Sequence, residues 1–137
     1  MRLLSAIVVA AVLASLAPAL AQAPKKVVAP AAVRKQFDDF LAKFRAALKA
    51  NDPAAVAGMA RLPFEGDDSV RDAAQFRARI YLPKFTPSNR ACLQREKAVY
   101  DRDGENNDNY SVFCGELIFV FTKTPAGFLF TDIGAND

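Results

Sequence analysis

Between Ala31 and Ala50 the apolar residues fall at steps of three and four, Val33, Phe37, Phe40, Leu41, Phe44 and Leu48, with Arg34, Lys35, Asp38, Lys43, Arg45 and Lys49 between them. That period predicts an amphipathic helix with a phenylalanine stripe, ordinarily core but able to line a cavity. Asn51-Asp52-Pro53 stops it and starts another, because an Asp caps free amides and a Pro suits the first helical turn. The second helix is short, from Pro53 to about Ala60. Leu62-Pro63-Phe64-Glu65 reads as an extended piece that Pro63 confines to an edge or a bend, and Gly66-Asp67-Asp68-Ser69 as a turn. A third helix, from about Val70 to Leu82, carries Ala73, Phe76 and Ile80 on one face and is expected to end at Pro83.

Beyond Phe85 the period changes. Thr86-Pro87-Ser88-Asn89 reads as a turn or a single helical turn, followed by strands at Ala91 to Tyr100, Tyr110 to Thr122 and Phe128 to Ile133. The polar run from Asp101 to Asn109 is expected to be a hairpin loop, and Lys123-Thr124-Pro125-Ala126-Gly127 joins the last two strands. The middle strand offers Tyr110, Val112, Cys114, Ile118 and Val120 on one face and Phe113, Leu117, Phe119 and Phe121 on the other, with Glu116 its one charge. A strand apolar on both faces is central and covered twice, or its second face lines a pocket.

The first residues follow a different logic. Arg2, the apolar stretch Leu3 to Leu16 interrupted by Ser5 and Ser15, and the small residues Ala19 and Ala21 spell a secretory leader over residues 1–21. A membrane anchor needs ~20 apolar residues, and Pro18 breaks this run. Cleavage would leave an Ala-, Pro- and Lys-containing linker over residues 22–30, mobile once freed, and a single domain over residues 31–137. The expected destination is periplasmic or secreted, with no membrane attachment after cleavage.

Cysteine usage agrees with that address. The chain has two cysteines, Cys92 and Cys114, an even count in a chain bound for an oxidising compartment. Pairing centred on Asp103 sets residue 92 opposite residue 114, within bridging reach across neighbouring strands. Such a bond would contribute roughly 3 kcal/mol. A redox or metal role fits less well, since there is no CxxC and no histidine. The net charge of +3 is scattered, and every basic cluster has acids beside it, so no nucleic-acid footprint is indicated.

Several segments together resemble a known superfamily. Phe37-Asp38-Asp39-Phe40 through Leu48, then Asn51-Asp52-Pro53-Ala54-Ala55-Val56, is similar to the opening of the nuclear transport factor 2-like, or cystatin-like, α+β cone. Phe119-Val120-Phe121-Thr122-Lys123 and Gly127-Phe128-Leu129-Phe130-Thr131-Asp132-Ile133 resemble its last hairpin. Leu62-Pro63-Phe64 and Ile133-Gly134-Ala135-Asn136-Asp137 look like small exported proteobacterial members. The last strand lacks the Trp that the superfamily often carries; Phe128 or Phe130 stands in that region. The resemblance implies an α+β fold in which a long N-terminal helix and two shorter ones pack on a curved antiparallel sheet. It also implies a cavity lined by Phe37, Phe44, Tyr81, Phe113, Phe119 and Phe121.

Fold alone does not choose a use for such a cavity. Superfamily enzymes need a general base and an oxyanion donor, which here leaves Asp132 and Glu116 as bases and Tyr81, Tyr100 or Tyr110 as donors. Each also has a plain structural reading, as an ion pair, a solvated charge or a rim residue. No phosphate loop, no nucleophile with a His base, no His and Cys metal cluster and no cofactor site is present. Asp101-x-Asp103 begins a calcium-type spacing, but residue 112 is Val where a ligating Glu belongs, so the run reads as a solvated loop. Three functions remain: a binding or accessory protein for a small apolar or amphipathic ligand, an interaction module or homodimer using the sheet face, and a cofactor-free isomerase or hydratase.

Overall fold

The structure, a computed structural model, describes residues 26–137, so the leader expected over residues 1–21 lies outside the described residues. Four helical segments precede four strands, giving an α+β fold. Helix α1 spans Ala31–Lys49 and α2 spans Pro53–Gly58. Helix α3 covers residues 73–84, and α4 spans Pro87–Arg95. The strands are β1 (Val99–Arg102), β2 (Asp108–Cys114), β3 (Leu117–Thr124) and β4 (Gly127–Ala135), an antiparallel meander in the order β1-β2-β3-β4.

The stripe read from the sequence is the buried face of α1: Val33, Phe37, Leu41, Phe44 and Leu48 all enter the core. Asn51, at a φ of 48°, turns the chain out of the helix in the left-handed region that Asn tolerates. Asp52 then accepts the Ala55 N–H at 3.0 Å and caps α2. After α2 the chain runs along the free edge of β4. Phe130 N–H donates to the Met59 carbonyl, Arg61 N–H to that of Phe130, and Glu65 N–H to that of Thr131. A sheet edge that would otherwise be open is thereby covered.

Helix α3 corrects two expectations. It begins at Ala73, where Asp72 caps it by accepting the Gln75 N–H, rather than at Val70. It also continues through Pro83 to Lys84, because residues Arg77–Tyr81 form a π-helical turn. Pro83 has no N–H for the carbonyl four residues back, and the widened turn just upstream takes up that mismatch. The predicted first strand is corrected as well. Residues 91–95 belong to α4, whose start is fixed by Thr86, which accepts the Asn89 N–H, and by Pro87 in the first turn. Only Val99–Arg102 joins the sheet.

The predicted central strand is two strands. Gly115, at a φ of 61°, and Glu116 form a two-residue turn, so that Cys114 faces Leu117 and Phe113 faces Ile118. Glycine at the first central position is the type II′ signature that matches the twist of the flanking strands. Folding back explains the doubly apolar run. Tyr110, Val112, Phe119 and Phe121 are buried against the helices, whereas Phe113 is 44% exposed on the opposite face.

The disulfide joins Cys92 to Cys114, with the Cα atoms 5.8 Å apart. Its geometry is not the one expected. β1 and β2 pair with Val99 opposite Ser111, and Cys92 reaches the end of β2 from α4. The bond pins a helix to a strand, and both sulfurs are buried.

Between α1, α3 and the inner sheet face the core is a lattice of aromatic rings. Phe44 meets Phe121 edge-on at 5.0 Å, Phe85 lies 5.2 Å from Phe119, and Phe64 lies 5.2 Å from Phe130. Edge-to-face contacts of this kind add to the hydrophobic gain from the buried rings. The polar pair Thr122 and Thr131 is also buried, and it is satisfied by a mutual hydroxyl hydrogen bond of 2.9 Å.

Candidate functional site

A cleft of about 290 Å³ opens between the first half of α1 and the link from α4 to β1. Its far wall is built by Arg45, in the C-terminal part of α1. The Arg45 guanidinium donates to the carbonyls of Leu93 at 2.8 Å and Glu96 at 2.7 Å, satisfying groups that the end of α4 would otherwise leave free. Gln94 returns a bond to the Arg45 carbonyl at 2.7 Å. These ties hold Arg95, Glu96, Lys97 and Ala98 across from Arg34, Asp38 and Leu41, which project from successive turns of α1 into the same cleft.

Phe37 and Tyr110 complete the lining, their rings stacked with centroids 3.8 Å apart. Tyr110 is 5% exposed, and its hydroxyl is buried without a hydrogen-bond partner. The other two tyrosines differ: Tyr81 donates to Asn51 Oδ1 at 2.7 Å and Tyr100 to Asp108 Oδ1 at 2.7 Å. An unpaired buried hydroxyl costs about 1–3 kcal/mol, so such atoms are uncommon in folded proteins. Burial pushes the Tyr110 phenol above its ordinary value, and the charge of Asp38 adds to the rise while Arg34 opposes it. Tyr110 is therefore a neutral hydrogen-bond donor at ordinary pH. The other buried orphan is Asn109 Oδ1, whose amide nitrogen is spent on Asp103.

The residues singled out from the sequence are dispersed. Phe37 lines the cleft, whereas Phe44, Phe119 and Phe121 sit fully buried in the ring lattice. Tyr81 is buried against Phe85 with its rings stacked at 5.0 Å, and Phe113 lies on the outer face. Asp132 faces a separate hollow of about 340 Å³ with Phe64, Arg79, Lys84 and Leu117. Its Oδ1 accepts the Ile133 N–H at 2.8 Å and rests over Gly66, where any Cβ would overlap it. Glu116 is exposed at the β2–β3 turn, away from Asp132. The two carboxylates thus share no site, and neither lies beside a free tyrosine hydroxyl.

Asp103 is spent within its own loop. It accepts the N–H groups of Glu105 and Asn107 and the side-chain amides of Asn107 and Asn109, and these bonds, those from Asn107 foremost, hold its carboxyl at about 2. Among the described residues no group of His, Cys, Asp and Glu is placed to hold a metal ion, and no helix is long and apolar enough to cross a membrane.

The Tyr110 cleft could not be read from the sequence, because its lining comes from α1, the α4–β1 link and β2. Its one legible signal was Tyr110 as a candidate donor on a predicted strand. Compared with family models, curated proteins and solved structures, the chain finds no match.

Proposed function

We propose that this chain is an exported, cone-like member of the nuclear transport factor 2-like superfamily, acting as a small-ligand-binding or accessory protein whose ligand sits in the Tyr110 cleft. The observation that carries this reading is the buried Tyr110 hydroxyl, unpaired beside a cleft whose charged residues are partly uncommitted. A ligand that supplies the missing acceptor recovers the desolvation cost that the free protein carries. The hydroxyl is covered in the free protein, so access requires rotation of side chains above it, and Arg34 and Asp38 are exposed enough to rotate. The cleft is at the small end of ligand pockets, which run from roughly 300 to 1,000 Å³.

Export rests on the leader-like sequence, and the disulfide belongs with an oxidising compartment. Catalysis is not part of the proposal, because neither candidate base, Asp132 or Glu116, lines the Tyr110 cleft. Native mass spectrometry of protein purified from its own periplasm tests the reading. A mass above that of the processed, oxidised chain, lost on Tyr110→Trp, supports it; the bare chain mass, with no small molecule released on denaturation, overturns it.

A second reading has its own observation. Val99 and Phe113 are 52% and 44% exposed on the sheet face away from the helices, and Ile118 and Val120 alternate onto that face with the buried Phe119 and Phe121. Ser111 and Gly134, opposite Val120 and Ile118, add no charge, and Asp132 borders the patch beside Val120, so a second copy of the chain can lie against the apolar part across a two-fold axis. Light scattering after size exclusion tests it: a dimer that Phe113→Glu converts to monomer supports the homodimer, and a monomer at all concentrations overturns it.

A further inference from the structure

Resting on the ligand-binding reading above, we infer that the cleft selects a small organic carboxylate, its head group held by Arg34, Lys97 and the Tyr110 hydroxyl and its apolar body set in the part of the cleft lined by Phe37, Leu41 and Ala98. The charges around the cleft decide the sign. Arg45 is committed to two backbone carbonyls. Arg95 is paired with Glu96 at 3.0 Å, which neutralises both. Arg34, Lys97 and Asp38 remain, and none of them forms an ion pair among the described residues. The lining as a whole sets four cations against the carboxylates of Asp38 and Glu96, so positive charge is in excess and a cationic ligand would add to it.

The neutral phenol selects in the same direction. As a donor with no acceptor it gains most from an ionised oxygen, because charge-assisted hydrogen bonds are roughly twice as strong as neutral ones. A planar carboxylate presents one oxygen to Tyr110 and the other to a cation. A bare inorganic anion would use the same polar groups but would leave the apolar lining empty.

The test is a titration of the purified protein with benzoate, benzamide, benzylamine and inorganic phosphate, followed by the Tyr110 ring and Arg34 side-chain resonances. Benzoate is expected to move both and to bind about tenfold tighter than benzamide, the difference between a charged and a neutral acceptor. Tyr110→Phe, which keeps the ring stack, should weaken benzoate about tenfold, and Lys97→Gln should weaken it and lower its salt dependence. Circular dichroism of both variants checks that the fold is kept. Benzamide or benzylamine binding as tightly as benzoate at those resonances would overturn the anion class and leave the ligand-binding reading standing. Phosphate binding as tightly as benzoate would overturn the organic-body half. If no probe moves either resonance, the carboxylate inference fails, and the retained mass measured above then decides the wider reading independently.

Discussion

The interior and the rim of this domain are made from the same residue type but obey opposite rules. Inside, Phe44, Phe85, Phe119, Phe121 and Phe130 are almost fully covered and in ring contact, and the enclosed polar pair, Thr122 and Thr131, satisfies itself. At the border of the same core, Phe37 stacks on Tyr110 and both rings are likewise covered, but the tyrosine hydroxyl has no partner and the charged groups of the adjoining cleft are half committed. A region optimised for stability leaves little unsatisfied; a region kept for recognition carries a local cost that a ligand can relieve. The contrast separates a satisfied ring lattice from an unsatisfied border within one core.

The strongest way to break that contrast is to empty the interior. Phe130→Ala should cost about 3–5 kcal/mol in denaturant unfolding, the penalty of a large aromatic removed from a packed site. A loss under about 1 kcal/mol would show that the rings surround free space and that the interior is a pocket after all. Opening the disulfide comes next. The paired change Cys92→Ala with Cys114→Ala should cost about 3 kcal/mol. It should also broaden the backbone resonances of Arg95 to Ala98, because Cys92 anchors the helix that carries this wall; sharp, unmoved resonances would separate the bond from the rim.

Tyr110→Phe sharpens the contrast with the opposite sign. The free protein should gain about 1 kcal/mol in unfolding free energy, since a buried donor without an acceptor disappears and the ring remains. A loss of stability would reveal a hidden partner for the hydroxyl. The smallest effect concerns the loop. The Asp103 carboxyl sits at about 2 in the folded protein against an ordinary value of 3.8. Its contribution is therefore fully present above pH 3.8 and fades as the pH falls toward 2. Asp103→Asn should flatten that part of the pH–stability curve, followed by urea midpoints; an unchanged curve would mean that the loop bonds do not favour the ionised form.

Residues with strong local signals were legible. The stripe of α1, the Asp52-Pro53 restart and the polar hairpin are short-range patterns that the structure forms, although Asp101, Arg102, Asp108 and Asn109 pair as strand and leave a shorter loop than the polar run predicts. The errors came where local and distant demands met. Gly115-Glu116 is a turn signal inside an apolar run, and its identity as a turn depends on the core accepting Val112 and Phe119 from one side. The Cys92 to Cys114 link was expected, but from a register the sheet does not have: α4 places Cys92 by helical geometry, and Thr86-Pro87 was the signal for that helix. The cleft was the least legible, since Arg34, Lys97 and Tyr110 become neighbours only when three separate elements meet.

The way the sheet is bordered has one more consequence. β4 is sealed by the segment from Met59 to Glu65, and at the opposite border β1 is only four residues long and ends in Asp101 and Arg102. Neither margin offers a long uncharged ladder of unpaired amides to an incoming extended peptide. Growth by strand annexation, the route to runaway polymers, is closed at both ends. Contact between copies through the described sheet is thereby left to its face rather than to its margins.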